Sequence, residues 1–98
     1  MIDEIKNKEI IFFVIYHKKK KEWHRGGEPF FNGTNYVGDA EFYKSKALAM
    51  YMIKELTENG YNGQDTIDDY CLIKYKASAE DVLEMSDVID KEERKEWN

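Results

Sequence analysis

The chain has 98 residues, 42% of them hydrophobic and 36% charged, with a formal net charge of −5. That length suits one domain, residues 1–98, with a thin core, and a lone cysteine, Cys71, excludes an internal disulfide framework and points to a reducing compartment. No apolar run reaches the roughly 18–20 residues that cross a bilayer, and the acid-bearing start MIDEIKNKEIIFFVIY is too short in its apolar part for a signal peptide, so a cytoplasmic setting is expected.

Residues Glu9 to Tyr16, EIIFFVIY, are β-branched and aromatic and bounded by polar clusters, which predicts a strand. Ile11, Phe13 and Ile15 fall on one face and Ile10, Phe12, Val14 and Tyr16 on the other, as in a central strand. Lys18 to Lys21 then form a basic hairpin turn, closed by Glu22. Trp23 starts a second extended segment that Gly26-Gly27 breaks. Asn32-Gly33 sits between aromatic segments and predicts a second hairpin, with strands near Glu28–Phe31 and Thr34–Val37. Pro29 suits the start of an edge strand.

The main helix is expected from Ser45 to Asn59, with Ser45 as N-cap and Gly60 as a left-handed C′ residue. Ala49, Met52, Ile53 and Leu56 recur at i, i+3, i+4 and i+7 and make one buried stripe. Asn59, Asn62 and Gly63 mark a loop. The alternation in Ile67–Lys76 predicts a last strand with Cys71, Ile73 and Tyr75 on one face. Ser78 to Asp81 resembles a capping box, followed by a helix with Val82, Met85 and Ile89 as its stripe, a break near Ser86–Asp87, and a final short helix starting at Asp90–Glu93. The element order is β-β-β-α-β-α. It implies an α+β fold: a small antiparallel sheet of three or four strands, packed by one main helix, with a C-terminal acidic helix.

No glycine-rich phosphate loop, nucleophile elbow or converging ligand set is present, so neither an enzyme, a cofactor nor a metal is expected. His17 and His24 flank the lysine turn, and with Glu22 they would give two or three ligands or an acid–base pair, fewer than a metal normally wants. Solvated hairpin histidines are the plainer reading. Cys71 has no base beside it in sequence and reads as a packing residue.

Charge and aromatics carry the functional expectation. Residues 1–27 hold seven Lys/Arg and four Asp/Glu, whereas residues 28–98 hold eight and sixteen. Asp65, Asp68, Asp69, Glu80, Asp81, Glu84, Asp87 and Asp90 form an extended acidic set, with Glu80, Glu84 and Asp87 spaced for one helix face. A solubilising surface is the ordinary role of such charges; a docking surface for a basic partner is the functional one. Phe30, Phe31 and Tyr36 around the expected hairpin, with Phe42 and Tyr43, exceed what one helix covers, so either the C-terminal helix covers the second sheet face or a partner does; an uncovered patch implies an interface, a homodimer being one option.

The leading expectation is therefore a small acidic module that binds a larger basic protein. Lysine outnumbers arginine thirteen to two, a bias that fits an AT-rich genome and a phage- or mobile-element-encoded inhibitor of a nucleic-acid-handling or defence protein. The rival is a nucleic-acid-binding hairpin in which Lys18, Lys19, Lys20, Lys21 and Arg25 hold phosphates and Trp23 stacks on a base. A self-assembling structural subunit is the third reading.

Overall fold

The EIIFFVIY run becomes strand β1 (Glu9–His17), and it lies inside the sheet as its two apolar faces require. The computed structural model describes residues 2–27, 30–58 and 65–88. In chain order these form α1 (Ile2–Lys6), β1, β2 (Glu22–His24), β3 (Gly33–Thr34), α2 (Lys46–Glu58), β4 (Tyr70–Ser78) and α3 (Met85–Val88), with short 3-10 turns at Val37–Asp39 and Ile67–Asp69. The class is α+β, with a four-stranded antiparallel sheet in the order β3-β2-β1-β4 and one main helix. None of the described helices is long and apolar enough to cross a membrane.

The lysine turn joins β1 to β2 as the sequence implies. Tyr16 pairs with Trp23 and His17 with Glu22, and the Lys21 N–H donates to the His17 carbonyl at 2.8 Å. Closing that four-residue turn puts Lys21 in the left-handed region at φ 56.

The Asn32-Gly33 hairpin does not form. Gly33 instead pairs with His24, and Thr34 with Trp23, so β3 is a partner of β2. The reversal falls at Gly26 and Gly27, whose φ values of 101 and 94 are conformations that only glycine adopts easily. Arg25 N–H to the Asn32 carbonyl, 2.7 Å, closes that loop. The Asn-Gly signal is local, and the stronger constraint was the two consecutive glycines upstream. Pro29 and Glu28 lie outside the described residues. Beyond β2, Tyr43 extends the pairing of β1 through reciprocal 2.8 Å hydrogen bonds with Phe13.

Helix α2 matches its predicted stripe. Ala49, Met52 and Leu56 are buried, and they pack with Ile15, Tyr43 and Tyr70 while Phe13, Phe31, Ile53 and Leu72 close around them. Full burial of a side chain such as Leu56 stabilises by about 1.5–3 kcal/mol. Ser45 caps the helix, its Oγ accepting the Leu48 N–H at 3.2 Å. Gly60 lies outside the described residues.

Alternation places Phe13, Ile15 and His17 toward α2 and Phe12, Val14 and Tyr16 on the opposite face. The expected depth fails at the start of β1, where Ile10 and Ile11 are exposed. Helix α1 was not foreseen; Asp3 and Glu4 in its first turn and Lys6 in its last suit the helix dipole.

The acidic helix expected after Ser78 is not formed as predicted. Strand β4 runs through Ser78, and residues 79–84 are irregular, so no helix starts at that residue. Asp81 Oδ1 instead accepts the neighbouring Val82 N–H at 2.8 Å, a local bond that competes with helix formation. Helix α3 begins only at Met85 and continues through Ser86 and Asp87. Glu80 and Glu84 therefore share no helix face. Ile89 and the short helix expected from Asp90 lie outside the described residues.

The chain divides into two units, Ile11–Lys76 and Met1–Ile10 with Ala77–Asn98. The first contains α2 and the core. The second contains α1 and α3, and a hollow of about 340 Å³ between Ile5, Lys8, Ile10 and residues Ala77, Ser78 and Ala79.

Candidate functional site

Three features within Ile11–Lys76 could carry function: a buried polar network beneath the lysine turn, an aromatic row on the sheet face opposite α2, and a groove beside α2.

The network starts from the two histidines, which are buried rather than solvated. His17 is 1% exposed and His24 0%. They converge on Phe31, whose ring centroid lies 5.1 Å from that of His17 and 5.5 Å from that of His24. In His17, Nδ1 accepts the Lys20 N–H at 3.2 Å, so the proton sits on Nε2, which faces Asp65 Oδ2 at 3.2 Å. Both ring nitrogens are thereby engaged. In His24, Nδ1 accepts the Asn32 N–H at 3.2 Å, and the buried Nε2 has no hydrogen-bond partner among the described residues. Burial lowers the His24 pKa to about 4. Among the described residues, no group of three or more His, Cys, Asp or Glu is placed to hold a metal.

Asp65 Oδ2 also accepts the Tyr70 hydroxyl, at 2.8 Å. Burial, reinforced by that carboxylate, pushes the Tyr70 pKa up. Next to it, Asp69 Oδ2 accepts the Thr66 N–H at 2.8 Å while the Asp69 N–H donates to the Thr66 carbonyl at 2.9 Å. Lys19 Nζ meets Asp69 Oδ1 at 3.0 Å. The Thr66 N–H first, and then Lys19, hold the Asp69 carboxyl below its ordinary range. A Thr-x-x-Asp pairing thus stands at the start of β4, not after it as the sequence pattern at Ser78 implied.

The acidic and basic sets are therefore not two separate surfaces throughout. Asp65 and Asp69 face the chain's own turn, while Asp68, Glu80, Asp81 and Glu84 are exposed. The backbone of Asp87 lies in α3 and its side chain is not described; Asp90 lies outside the described residues. On the basic side, Lys18, Lys21 and Arg25 are exposed, Lys19 pairs with Asp69, and the Lys20 Nζ sits 5.1 Å from the Phe31 ring centroid. Trp23 is half-buried with its ring edge-on to Tyr16 at 5.1 Å, and its Nε1 is buried without a hydrogen-bond partner among the described residues.

The expected aromatic hairpin separates in the same way. Phe30 and Tyr36 are exposed, whereas Phe31 packs against the core between the histidines. The continuous aromatic surface lies elsewhere. Phe42, Phe12 and Tyr75 stack in a row, with centroids 4.7 Å and 5.4 Å apart and interplanar angles of 29° and 17°. Phe42 is 50% and Tyr75 37% exposed. With Val37 and Gly38 they line a hollow of about 150 Å³. Its sequence signal was the second apolar face of β1, but the partner rings come from positions far from Phe12 and could not be assigned to it by pattern. Cys71 is a half-buried free thiol next to Tyr70 in β4, outside the core cluster.

The groove beside α2 is lined by Ala47, Met50, Tyr51, Ile53, Lys54, Glu58 and Ile67 and has a volume of about 440 Å³. It is apolar apart from the rim charges Lys54 and Glu58. No protein-family model matches this chain, and comparison with curated proteins and with solved structures gives no match.

Proposed function

We propose that the chain is a protein-recognition module that docks on a larger partner with a basic surface. The observation that supports this best is the Phe42–Phe12–Tyr75 row on the sheet face opposite α2, with Phe42 and Tyr75 exposed and Phe12 half-buried between them. Large rings on a surface are the side chains that most often anchor interfaces. The charge gives the sign of the partner. Residues 1–10 and 77–98 hold five Lys/Arg and eleven Asp/Glu, a net of −6, against +1 for residues 11–76 with ten and nine. Glu80, Asp81 and Glu84 are exposed within that acidic part, and acidic clusters of this kind steer and orient basic partners.

The action is binding without a catalytic step, in the manner of an inhibitor that occupies a nucleic-acid-handling or defence protein. The acidity and the lysine-rich, arginine-poor composition fit a phage- or mobile-element-encoded inhibitor. The test is capture from the host with the wild-type chain and with Glu80→Lys/Glu84→Lys/Asp87→Lys. Loss of the captured protein with an unchanged circular-dichroism spectrum is expected; undiminished capture by the triple variant would reject the acidic docking surface. The nucleic-acid reading keeps Lys18, Lys21 and Arg25 as exposed cations. It is the weaker of the two because Lys19 and Lys20 are engaged within the molecule.

A further inference from the structure

We infer that the outer edge of β4 docks a second copy of this chain, the two copies pairing antiparallel through residues 72–82 about a two-fold axis at Ala77. This goes beyond the reading of a basic protein partner and does not depend on it.

The backbone provides the site. Strand β4 ends the sheet, and no strand lies beyond it among the described residues. Its pairing with β1 fixes which backbone groups are engaged. The Lys18 N–H donates to the Asp69 carbonyl at 2.8 Å, and the rings of His17 and Tyr70, and of Phe12 and Tyr75, meet in the same antiparallel register. Direction alternates along a strand, so Cys71, Ile73 and Tyr75 turn their N–H and C=O groups toward β1, and Leu72 and Lys74 turn theirs outward. The Tyr70 N–H, on the same outward side, bonds to the Ile67 carbonyl. An open edge of this kind is a template for a further strand.

The side chains select the occupant. Lys74 and Glu80 are both exposed, and no ion pair holds either among the described residues. Like charges directly opposite each other destabilise a strand pair, and opposite charges stabilise it. Two copies centred on Lys74 or on Lys76 would set that lysine against itself. Centring on Tyr75 would set Lys74 against Lys76. Centring nearer the 3-10 turn runs the ladder into Asp69 and Tyr70, whose N–H groups already bond to Thr66 and Ile67. Centring on Ala77 sets Lys74 opposite Glu80, Lys76 opposite Ser78 and Leu72 opposite Val82. By symmetry every such pair occurs twice. The small Ala77 faces itself on the axis, and Ala79 leaves room beside the Tyr75 ring. The irregular stretch 79–84, with Leu83 64% exposed, thereby becomes the strand that the open edge lacks. Asp81 falls opposite Ile73 in this register, which keeps the pairing reversible.

The experiment is sedimentation of the full chain up to millimolar concentration, with hydrogen exchange measured on the same samples. A monomer–dimer equilibrium is expected. Lys74→Glu and Glu80→Lys each create two like-charge pairs and should weaken dimerisation about 10-fold. The double variant Lys74→Glu/Glu80→Lys restores opposite charges and should recover the wild-type constant to within about 3-fold. Both positions are exposed, so the fold is expected to survive, which circular dichroism checks. The Leu72 and Lys74 amides should exchange about 10-fold more slowly as the dimer fills, while those of Cys71 and Ile73 stay protected throughout. A monomer at millimolar concentration would overturn the inference. So would a dimer indifferent to the single charge reversals, one that the double variant fails to restore, or one in which the Leu72 and Lys74 amides still exchange freely.

Discussion

His17 Nε2 and Asp65 Oδ2 lie 3.2 Å apart, 48 positions distant in the chain, and the same carboxylate oxygen accepts the Tyr70 hydroxyl at 2.8 Å. One oxygen thus holds the lysine turn to the start of β4 from two sides. Asp65→Ala leaves two buried donors without an acceptor, so it should destabilise the chain by about 2–4 kcal/mol, against about 1 kcal/mol for Tyr70→Phe, which removes one donor and leaves the Asp65 oxygen bonded to His17. Urea unfolding of both single variants and the double variant measures this. Additive losses would show that Asp65 and Tyr70 are not coupled, contrary to expectation.

His24 gives the chain a particular acid response. Its folded pKa is about 4 against an ordinary value of 6.5, so between these limits the unfolded chain binds the proton more readily. Stability is then fully present above pH 6.5, falls as pH drops toward about 4, and receives no further loss from this group below that. Asp69 adds a separate loss below the ordinary carboxylate value of 3.8, because its folded pKa is depressed. His24→Asn keeps an acceptor for the Asn32 N–H and removes the titration. Its stability should be flat from pH 6.5 to 5 in thermal melts, where the wild type declines.

The ion pair of Lys19 with Asp69 contributes less than the backbone bond made by the same acid. Lys19 is 75% exposed, so Lys19→Ala should cost no more than about 1 kcal/mol and less at high salt. Asp69→Ala also removes the acceptor of the Thr66 N–H and should cost more than Lys19→Ala. Equal losses in denaturant titrations at low and high salt would contradict this ranking.

Lys21 occupies a left-handed conformation at φ 56. Lys21→Gly relieves a steric cost of about 1–2 kcal/mol and loses part of it to chain entropy, so a net gain of about 0.5–1 kcal/mol is expected. A lower denaturation midpoint for this variant would show the turn to be unstrained.

Helix α2 distinguishes its faces sharply. Leu56, 1% exposed, should cost about 2–5 kcal/mol as Leu56→Ala, while Leu48, 55% exposed, should change stability by no more than about 0.5 kcal/mol. Calorimetry of the two variants separates them.

Those faces were readable in advance because a helix repeats every 3.6 residues and Ala49, Met52 and Leu56 are close in sequence. The central strand was readable because its signal is also local: Ile10 to Tyr16, IIFFVIY, is apolar or aromatic at every position. The lysine turn followed from two flanking strands of the right length. The rest depended on distance. Nothing local to Asp65 marks it as the acceptor of His17, so it stood among the solvent acids. Nothing local to Phe31 distinguishes it from Phe30, yet one is wedged between imidazoles and the other faces outward. The Ser78 capping pattern failed because strand β4 extends to that residue and the chain beyond it stays irregular up to Met85. Local capping signals are worth about 1 kcal/mol, which a sheet ladder readily overrides.

The central position of β1 also bears on how the chain reaches its folded form. One edge of β1 is completed by β2 almost at once, across the lysine turn, and by Tyr43 somewhat later. The other edge waits for β4, the last strand of the sheet. Closing so long a loop slows folding, since its entropy must be lost before the pairing compensates. During synthesis, a ribosome that has released β1, β2 and α2 presents a half-built sheet with an open edge beside Phe12. Nascent copies on one messenger are then prone to pair with each other until the stretch from Tyr70 onward emerges.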